Sequence, residues 1–187
     1  MLEVGGGEGE LAVRIVNELG AQLVGIDQSE RMVEIQRSKG IDARVGNVER
    51  LPASDGEFDV AVAAWMLYHA QELDGALAEL ARVLRPGGHL VAVTNSIEHL
   101  RELWDLAGRE TSARAFQFRS ENGDEALRRH FHRVERQDVC GWVIMDDDAV
   151  RRYAASWEAL APATERLPLG GPLRVRRSST IFIAQKG

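Results

Sequence analysis

Residues 2–9 read LEVGGGEG, and a second short apolar run, Ala21 to Ile26, is followed directly by Asp27. A strand that enters a glycine-rich turn lets the backbone approach a ligand closely, because glycine lacks a Cβ atom and tolerates positive φ. The helix that follows such a turn presents free amide groups. The stretch therefore predicts a nucleoside-binding pocket in which the Asp27 carboxylate binds a ribose.

The spacing of the glycines indicates which kind of nucleoside is expected. The dinucleotide fingerprint GxGxxG carries its third glycine where this chain has Glu10, since the glycines here are Gly5, Gly7 and Gly9. A carboxylate beside a pyrophosphate would be repelled rather than bound. The spacing disfavours NAD and FAD, and it leaves a tight strand-to-helix turn without a ligand as the simpler alternative.

Length and composition indicate an ordinary globular protein. The 187 residues suit one domain, with 44% hydrophobic and 28% charged residues. There is no apolar stretch long enough for a bilayer and no signal-peptide pattern, so a cytoplasmic protein is expected. The net charge of −6 gives no general attraction for nucleic acid or an anionic membrane. The single cysteine, Cys140, excludes an internal disulfide and is expected to be buried and inert.

Strand and helix patterns alternate along the chain, which predicts βαβ units and an α/β fold with a doubly wound, mostly parallel sheet. The continuous apolar run from Phe58 to Ala64 is typical of a central strand covered on both faces. The other predicted strands are residues 2–4, 21–26, 41–45, 89–94, 134–144 and 179–184. One predicted helix follows residue 10, a second follows residue 30, and a third ends at Arg85. Three further helices are predicted over 99–107, 123–131 and 149–160.

Four segments in a fixed order carry a resemblance to a known family. They are ExGxGxG from Glu3 to Gly9, GNVERLP from Gly46, FDVAVAAWMLYHA from Phe58, and LARVLRPGGHLVAVTN from Leu80. Together they resemble the class I methyltransferases that use S-adenosylmethionine, of the small-molecule type. The resemblance implies a Rossmann-like fold whose seven-stranded, mostly parallel sheet has an antiparallel last strand.

The resemblance also implies the residues that bind the cofactor S-adenosyl-L-methionine. Asn47 replaces the acidic residue usual at the adenine edge, and its neutral amide is expected to weaken affinity. His69 is the candidate general base. The implied contacts are Glu3, Gly5, Gly6, Gly7 and Gly9 at the methionine, Asp27 at the ribose, Ile26, Gln28, Asn47 and Val48 at the adenine, and Ala64, Trp65 and Met66 in the loop after the fourth strand.

Residues 1–187 are expected to form one methyltransferase domain, with a cofactor-binding half over 1–95 and a substrate-side half over 96–187. Met1 lies directly before the first strand and leaves no room for the helices that usually precede it, which indicates either a misassigned start or an open pocket. The methyl acceptor is expected to be a small molecule, and neither its identity nor the oligomeric state follows from the sequence. In the substrate-side half, Trp104, Phe116, Phe118 and Trp157 are expected either to line the acceptor cavity or to fill the core.

Two alternatives to a methyltransferase remain open. One is a noncatalytic or truncated protein that binds S-adenosylmethionine or S-adenosylhomocysteine, and the other is a nicotinamide-dependent oxidoreductase. No metal site is expected, because the histidines and carboxylates lack a compact ligand spacing. His130 and His132 are expected at the surface.

Overall fold

The computed structural model of the protein describes residues 1–108, 116–156, 160–167 and 170–187. Its strands are β1 (Leu2–Val4), β2 (Val24–Asp27), β3 (Asp42–Val45), β4 (Phe58–Ala64), β5 (Leu84–Asn95), β6 (Arg133–Met145) and β7 (Leu173–Gln185). Its α-helices are α1 (Glu10–Leu19), α2 (Glu30–Ser38), α3 (Leu73–Val83), α4 (Arg101–Leu106), α5 (Gly123–Arg128) and α6 (Asp147–Ala155). Short 3-10 helices cover Leu67–His69 and Ala161–Arg166.

The strands form one seven-stranded sheet in the order β3-β2-β1-β4-β5-β7-β6. The first five strands in this order run parallel, and β7 is antiparallel to both β5 and β6. The predicted fold class is therefore confirmed, including the antiparallel last strand. The chain proceeds outward from β1 to β3 and then returns to β4 on the other side of β1. The carboxyl ends of β1 and β4 thus flank a topological switch point, where open α/β sheets bind their ligands.

Apolar side chains of the helices form separate buried clusters against this sheet. Helices α1 and α2 pack with Ala43 of β3 in one cluster, and α3 and α5 join β1, β4, β5 and β7 in a larger one. The apolar run of β4 lies in the core, where Ala61, Val62 and Ala63 are all buried. A third cluster, around Trp104, packs α4 and α6 against Val175.

Several predicted boundaries shift in the structure. Strand β2 begins three residues later than predicted, β3 one residue later, and α3 ends at Val83, from which the chain passes directly into β5. Gly87 has the expected positive φ of 76°. Helices α4, α5 and α6 are shorter than their predicted ranges.

The largest shift concerns β7, which begins at Leu173 instead of Ser179. Its first six residues pair only with β6, beyond the end of β5, as a two-stranded ribbon. Arg174, Arg176 and Arg177 are exposed there, so the apolar signal of the strand is missing. The sequence therefore indicates only the part of β7 that the sheet buries.

The same ribbon corrects the prediction for Cys140, which is exposed and not buried. Cys140 lies in the edge strand β6, and its Sγ atom is 3.6 Å from the Ser178 hydroxyl of β7. An apolar strand-like context indicates burial only where a further layer covers the strand, and this part of β6 extends past the parallel strands.

Gly123, the first residue of α5, provides a test of the packing between this helix and β7. A Cβ atom added at Gly123 would lie 2.5 Å from a ring carbon of the buried Phe182. We expect Gly123→Ala to lower the free energy of unfolding by about 1–3 kcal/mol, as overpacked cores do. Urea denaturation measures the change. Gly141→Ala is the control, because the space at Gly141 is open, and equal stabilities of the two variants would contradict this packing.

Candidate functional site

A glycine turn connects β1 to α1 at the switch point of the sheet. Gly5, Gly7 and Gly9 have φ values of 65°, 55° and 76°, a region that side chains disfavour. The amide of Gly5 donates to the carbonyl of Ile26 at 2.8 Å, so the turn is attached to β2. A Cβ atom at Gly5 would lie 2.8 Å from the Cβ atom of Met66. Backbone conformation thus favours glycine at all three positions, and close packing adds to this at Gly5.

Asp27, the last residue of β2, is held by two backbone amides. Its Oδ2 atom accepts from the amide of Gly7 at 3.1 Å, and its Oδ1 atom accepts from the amide of Ser29 at 2.9 Å. The residue is buried and lines a cavity. A carboxylate has about four lone-pair sites, so two amide donors leave it able to accept from a ligand.

The cavity has a volume of about 380 Å³, within the range typical of ligand pockets. It brings together nine of the predicted residues at the carboxyl ends of β1 to β4. A larger groove of about 830 Å³ lies at the opposite edge of the sheet, but we place the site in the smaller cavity because its lining includes Asp27 and the glycine turn. The predicted residues in its lining are Gly5, Ile26, Asp27, Gln28, Asn47, Val48, Trp65, Met66 and His69.

The other predicted residues lie outside the lining. Glu3 is buried under the turn, where a Cβ atom at Gly6 would overlap its carboxylate. Gly7 contributes its amide to Asp27, and Gly9 packs against the side chain of Gln36. Ala64 is the half-buried last residue of β4. Their proximity to a ligand stays a prediction.

Glu3 is an unusual buried acid. It is 1% exposed, and its Oε2 atom is buried without a hydrogen-bond partner. Burial, followed by the nearby negative charge of Asp27, raises the pKa of Glu3 from 4.5 to about 7. A positively charged ligand in the adjacent cavity would stabilise the ionised form.

Glu49 also belongs to this site, although sequence reasoning missed it. Its Oε1 atom accepts from the amides of Gln71 and Glu72 at 2.7 and 3.1 Å. Glu49 and Gln71 both line the cavity, so this clasp ties the loop after β3 to the loop after β4. The signal was present in the GNVERLP segment, but the distant partner of the acidic residue is visible only in the fold.

Asn47 is engaged within its own turn. Its Oδ1 atom accepts from the amide of Glu49 at 2.8 Å, and its carbonyl accepts from the amide of Arg50 at 3.0 Å. The side chain therefore shapes the wall of the cavity whether or not it contacts an adenine.

The loop after β4 places two aromatic side chains and a histidine near the cavity. Trp65 has a φ of 54°, rare for a bulky residue, and is 48% exposed. His69 lines the cavity, and its ring lies 4.5 Å from the ring of Tyr68. Tyr68 in turn lies 5.1 Å from Phe116, beside a small second pocket at the end of β5.

The remaining candidates have structural positions. Trp104 and Phe118 fill the core, Phe116 lines the second pocket, and Trp157 lies outside the described residues. His132 is exposed as predicted. His130 is half-buried, and its Nε2 atom lies 2.9 Å from the exposed Asp74 of α3.

The part of the chain that the structure describes holds neither a metal-ligand cluster nor a membrane-spanning helix. In these residues, no group of three His, Cys, Asp or Glu side chains is placed to hold a metal ion. None of the described helices is both long and apolar enough to cross a bilayer.

Known proteins resemble the first half of this chain. Residues 2–92 match the family described as the methyltransferase domain, and this range contains the glycine turn, Asp27 and the loop after β4. This match covers just under half of the chain and supports a methyltransferase of class I. The resemblance inferred from the four sequence segments is thereby confirmed.

Individual methyltransferases show how far the similarity reaches. An uncharacterized methyltransferase of Mycobacterium tuberculosis is 34% identical over 116 residues, which cover 59% of this chain and 47% of that protein. A demethylmenaquinone methyltransferase of Tropheryma whipplei is 38% identical over 96 residues, 49% of this chain and 39% of that protein. The chain thus spans about half the length of the curated relatives it matches, or less.

Solved structures share the fold of this methyltransferase. The YcgJ protein from Bacillus subtilis superimposes with a TM-score of 0.72 at 17% identity, covering 99% of this chain and 90% of that chain. A SAM-dependent methyltransferase from Thermotoga maritima gives a TM-score of 0.67 at 22% identity, covering 100% and 81%. At these identities the likeness establishes the architecture alone.

The buried acid Glu3 predicts a specific pH dependence of stability. Glu3 binds a proton in the folded state up to about pH 7 but loses it near pH 4.5 when unfolded, so its contribution to stability falls as the pH rises through this window. Glu3→Gln removes the titration. Relative to the parent, the variant should gain about 2–3 kcal/mol in free energy of unfolding between pH 5 and pH 8. Parallel pH profiles in urea denaturation would contradict the assignment.

The Glu49 clasp predicts a local effect. In Glu49→Ala the amides of Gln71 and Glu72 lose their acceptor, so they should exchange hydrogen on the order of tenfold faster. Glu49→Gln keeps an acceptor oxygen and should retain most of the protection. Hydrogen exchange followed by NMR measures both variants. Unchanged exchange in Glu49→Ala would show that the clasp does not persist in solution.

Proposed function

We propose that this protein is an enzyme that transfers a methyl group from S-adenosyl-L-methionine to a small-molecule nucleophile. The observation that carries the proposal is the cavity in which the Asp27 carboxylate, fixed by the amides of Gly7 and Ser29, lies beside the glycine turn. Among the relatives, demethylmenaquinone methyltransferases act on a small molecule by their names. In this proposal residues 1–95 hold the cofactor and residues 96–187 form the substrate side of one domain.

The polar groups in and beside the cavity fit this cofactor. The Asp27 carboxylate is able to accept from both ribose hydroxyls, and such charge-assisted hydrogen bonds are strong. The buried, unpartnered oxygen of Glu3 lies under the turn, where a cationic amino acid moiety would offset its negative charge. The turn lies directly against its neighbours, because a Cβ atom at Gly5 would overlap Met66 and one at Gly6 would overlap Glu3.

The cofactor supplies a methyl group on a positively charged sulfur, already activated for in-line displacement. The protein residues contribute mainly positioning, which in favourable systems accounts for roughly 7–11 kcal/mol of the barrier. His69 lines the same cavity and is the proposed acceptor for a proton released by the nucleophile. Cofactor contacts at Ile26, Gln28, Asn47, Val48, Trp65 and Met66 are part of the proposal.

The start of α1 argues against a dinucleotide in the same cavity. Glu10 is the first residue of this helix, where a pyrophosphate would otherwise meet the free amides. Its carboxylate pairs with Lys39, which holds the pKa of Glu10 below its ordinary value and keeps the residue ionised. A nicotinamide-dependent activity is therefore the weaker alternative.

Calorimetric titration with S-adenosylhomocysteine tests the proposal. The parent protein should bind it saturably, and Asp27→Ala should weaken binding more than tenfold, because charge-assisted hydrogen bonds contribute about 1.5–3 kcal/mol each. Asp42→Ala is the matched control, since this exposed carboxylate lies at the opposite edge of the sheet. Thermal melts verify that both variants fold.

The outcomes separate the alternatives. Binding of S-adenosylhomocysteine but not NADH, together with methylation in an acceptor screen, would support the enzyme. Binding without transfer to any acceptor would favour the noncatalytic protein. Saturable binding of NADH by the folded protein, without binding of S-adenosylhomocysteine, would overturn the proposal.

A further inference from the structure

Trp65 is held in a strained and well-defined position. Its φ of 54° lies in the left-handed region, which a bulky side chain adopts only when its surroundings enforce it. The backbone amide of Trp65 donates to the carbonyl of Val93 at 2.8 Å, and the indole Nε1 donates to the Oδ1 atom of Asn95 at 3.1 Å. Asn95 is fixed in turn by the hydroxyl of Ser179 at 2.8 Å. Neighbouring strands thus hold the indole by its polar edge.

This anchored indole is also half exposed. The Trp65 side chain lines the cavity of the site, with 48% of the residue accessible. A large aromatic ring that is both fixed by hydrogen bonds and open to a cavity offers its surface to a ligand. Strain of this kind is concentrated at functional sites, where the conformation is part of recognition.

The order of the strands indicates which part of the ligand meets the indole. Along the carboxyl edge of the sheet, Asn47 follows β3, Asp27 ends β2, Gly5 follows β1 and Trp65 follows β4. If Asp27 binds the ribose and Asn47 borders the adenine, as the proposed function has it, the sulfur lies toward Gly5 and Trp65. The inference therefore rests on the proposed function.

We propose that Trp65 is a specificity-determining residue that distinguishes the methyl donor from the product by the charge on sulfur. The quadrupole of an indole attracts a cation near its face, and tryptophan is the strongest of the aromatic side chains in this respect. S-adenosylmethionine carries a sulfonium, whereas S-adenosylhomocysteine has a neutral thioether. The indole thus stabilises the bound donor and gives the product no comparable attraction.

Methyl transfer removes this attraction in the step that forms the product. The methyl carbon forms a bond with a lone pair of the nucleophile, and the electron pair of the breaking carbon–sulfur bond stays on sulfur. The sulfur loses its positive charge in the same step. The product is then held by the contacts common to both ligands, such as Asp27, and its release is favoured.

The test compares the dissociation constants of S-adenosylmethionine and S-adenosylhomocysteine in matched variants, measured by calorimetry without an acceptor. Trp65→Leu keeps an apolar side chain at the same strained φ but lacks a π face, and Trp65→Phe keeps a weaker one. We expect Trp65→Leu to weaken donor binding about fivefold more than product binding. Trp65→Phe should give a smaller selective loss.

Trp142→Leu is the control for a general effect of removing a tryptophan. Trp142 is 50% exposed on the β6–β7 ribbon, where its ring lies 4.4 and 5.4 Å from the guanidinium groups of Arg174 and Arg176. Its substitution should leave the ratio of the two dissociation constants unchanged. The carboxylates of Glu3 and Asp27 attract the sulfonium in every variant, so only the change in the ratio is attributed to the indole.

The outcomes are distinct from those that test the methyltransferase itself. If the parent protein binds neither ligand, the proposed function fails. If both ligands bind and folded Trp65→Leu weakens them equally, or leaves both unchanged, the inference is overturned while the proposed function stands. A selective loss of donor binding, graded from phenylalanine to leucine, would support it.

Discussion

The hydrogen bond from the amide of Gly7 to the carboxylate of Asp27 is the contact on which the site depends. It joins the glycine turn after β1 to the end of β2, and the bond from the amide of Gly5 to the carbonyl of Ile26 reinforces it. The turn has a positive φ at three glycines, and its one side chain, that of Glu8, is exposed. Its shape therefore comes from neighbouring groups, and the carboxylate that shapes it is the one that faces the cavity.

The buried carboxylate of Glu3 lowers the free energy of unfolding when it is ionised. An ionised carboxylate at this depth lacks a partner for one oxygen and lies near a second negative charge. Such a group is tolerated where a ligand or a function offsets it, because removing charge from water is expensive unless the charge is paired. Ionisation of Glu3 therefore lowers the stability of the fold at neutral pH, and a cation bound nearby would offset part of that cost.

Much of the fold and part of the site could be predicted from the sequence because their signals are local. The apolar run of β4, the glycines of the turn and the position of Asp27 after β2 all depend on residues near one another in the chain. The prediction was wrong for Cys140, whose environment is set by a distant part of the chain. Glu49 was missed for the same reason, since its partners Gln71 and Glu72 lie more than twenty residues away. Predicted ligand contacts of the site residues stay predictions.

The segment from Gln71 to Leu73 connects the two halves of the chain physically. On one side the Glu49 carboxylate accepts from the amide of Gln71. On the other side the Gln117 side chain donates to the carbonyl of Gln71 at 2.9 Å and accepts from the amide of Leu73 at 3.4 Å. Gln117 is adjacent to Phe116, which lines the second pocket with Tyr68. A shift of this segment would therefore alter the cavity lined by Asp27 and the second pocket together, because Gln71 is hydrogen-bonded both to Glu49 in the cavity wall and to Gln117 beside the second pocket.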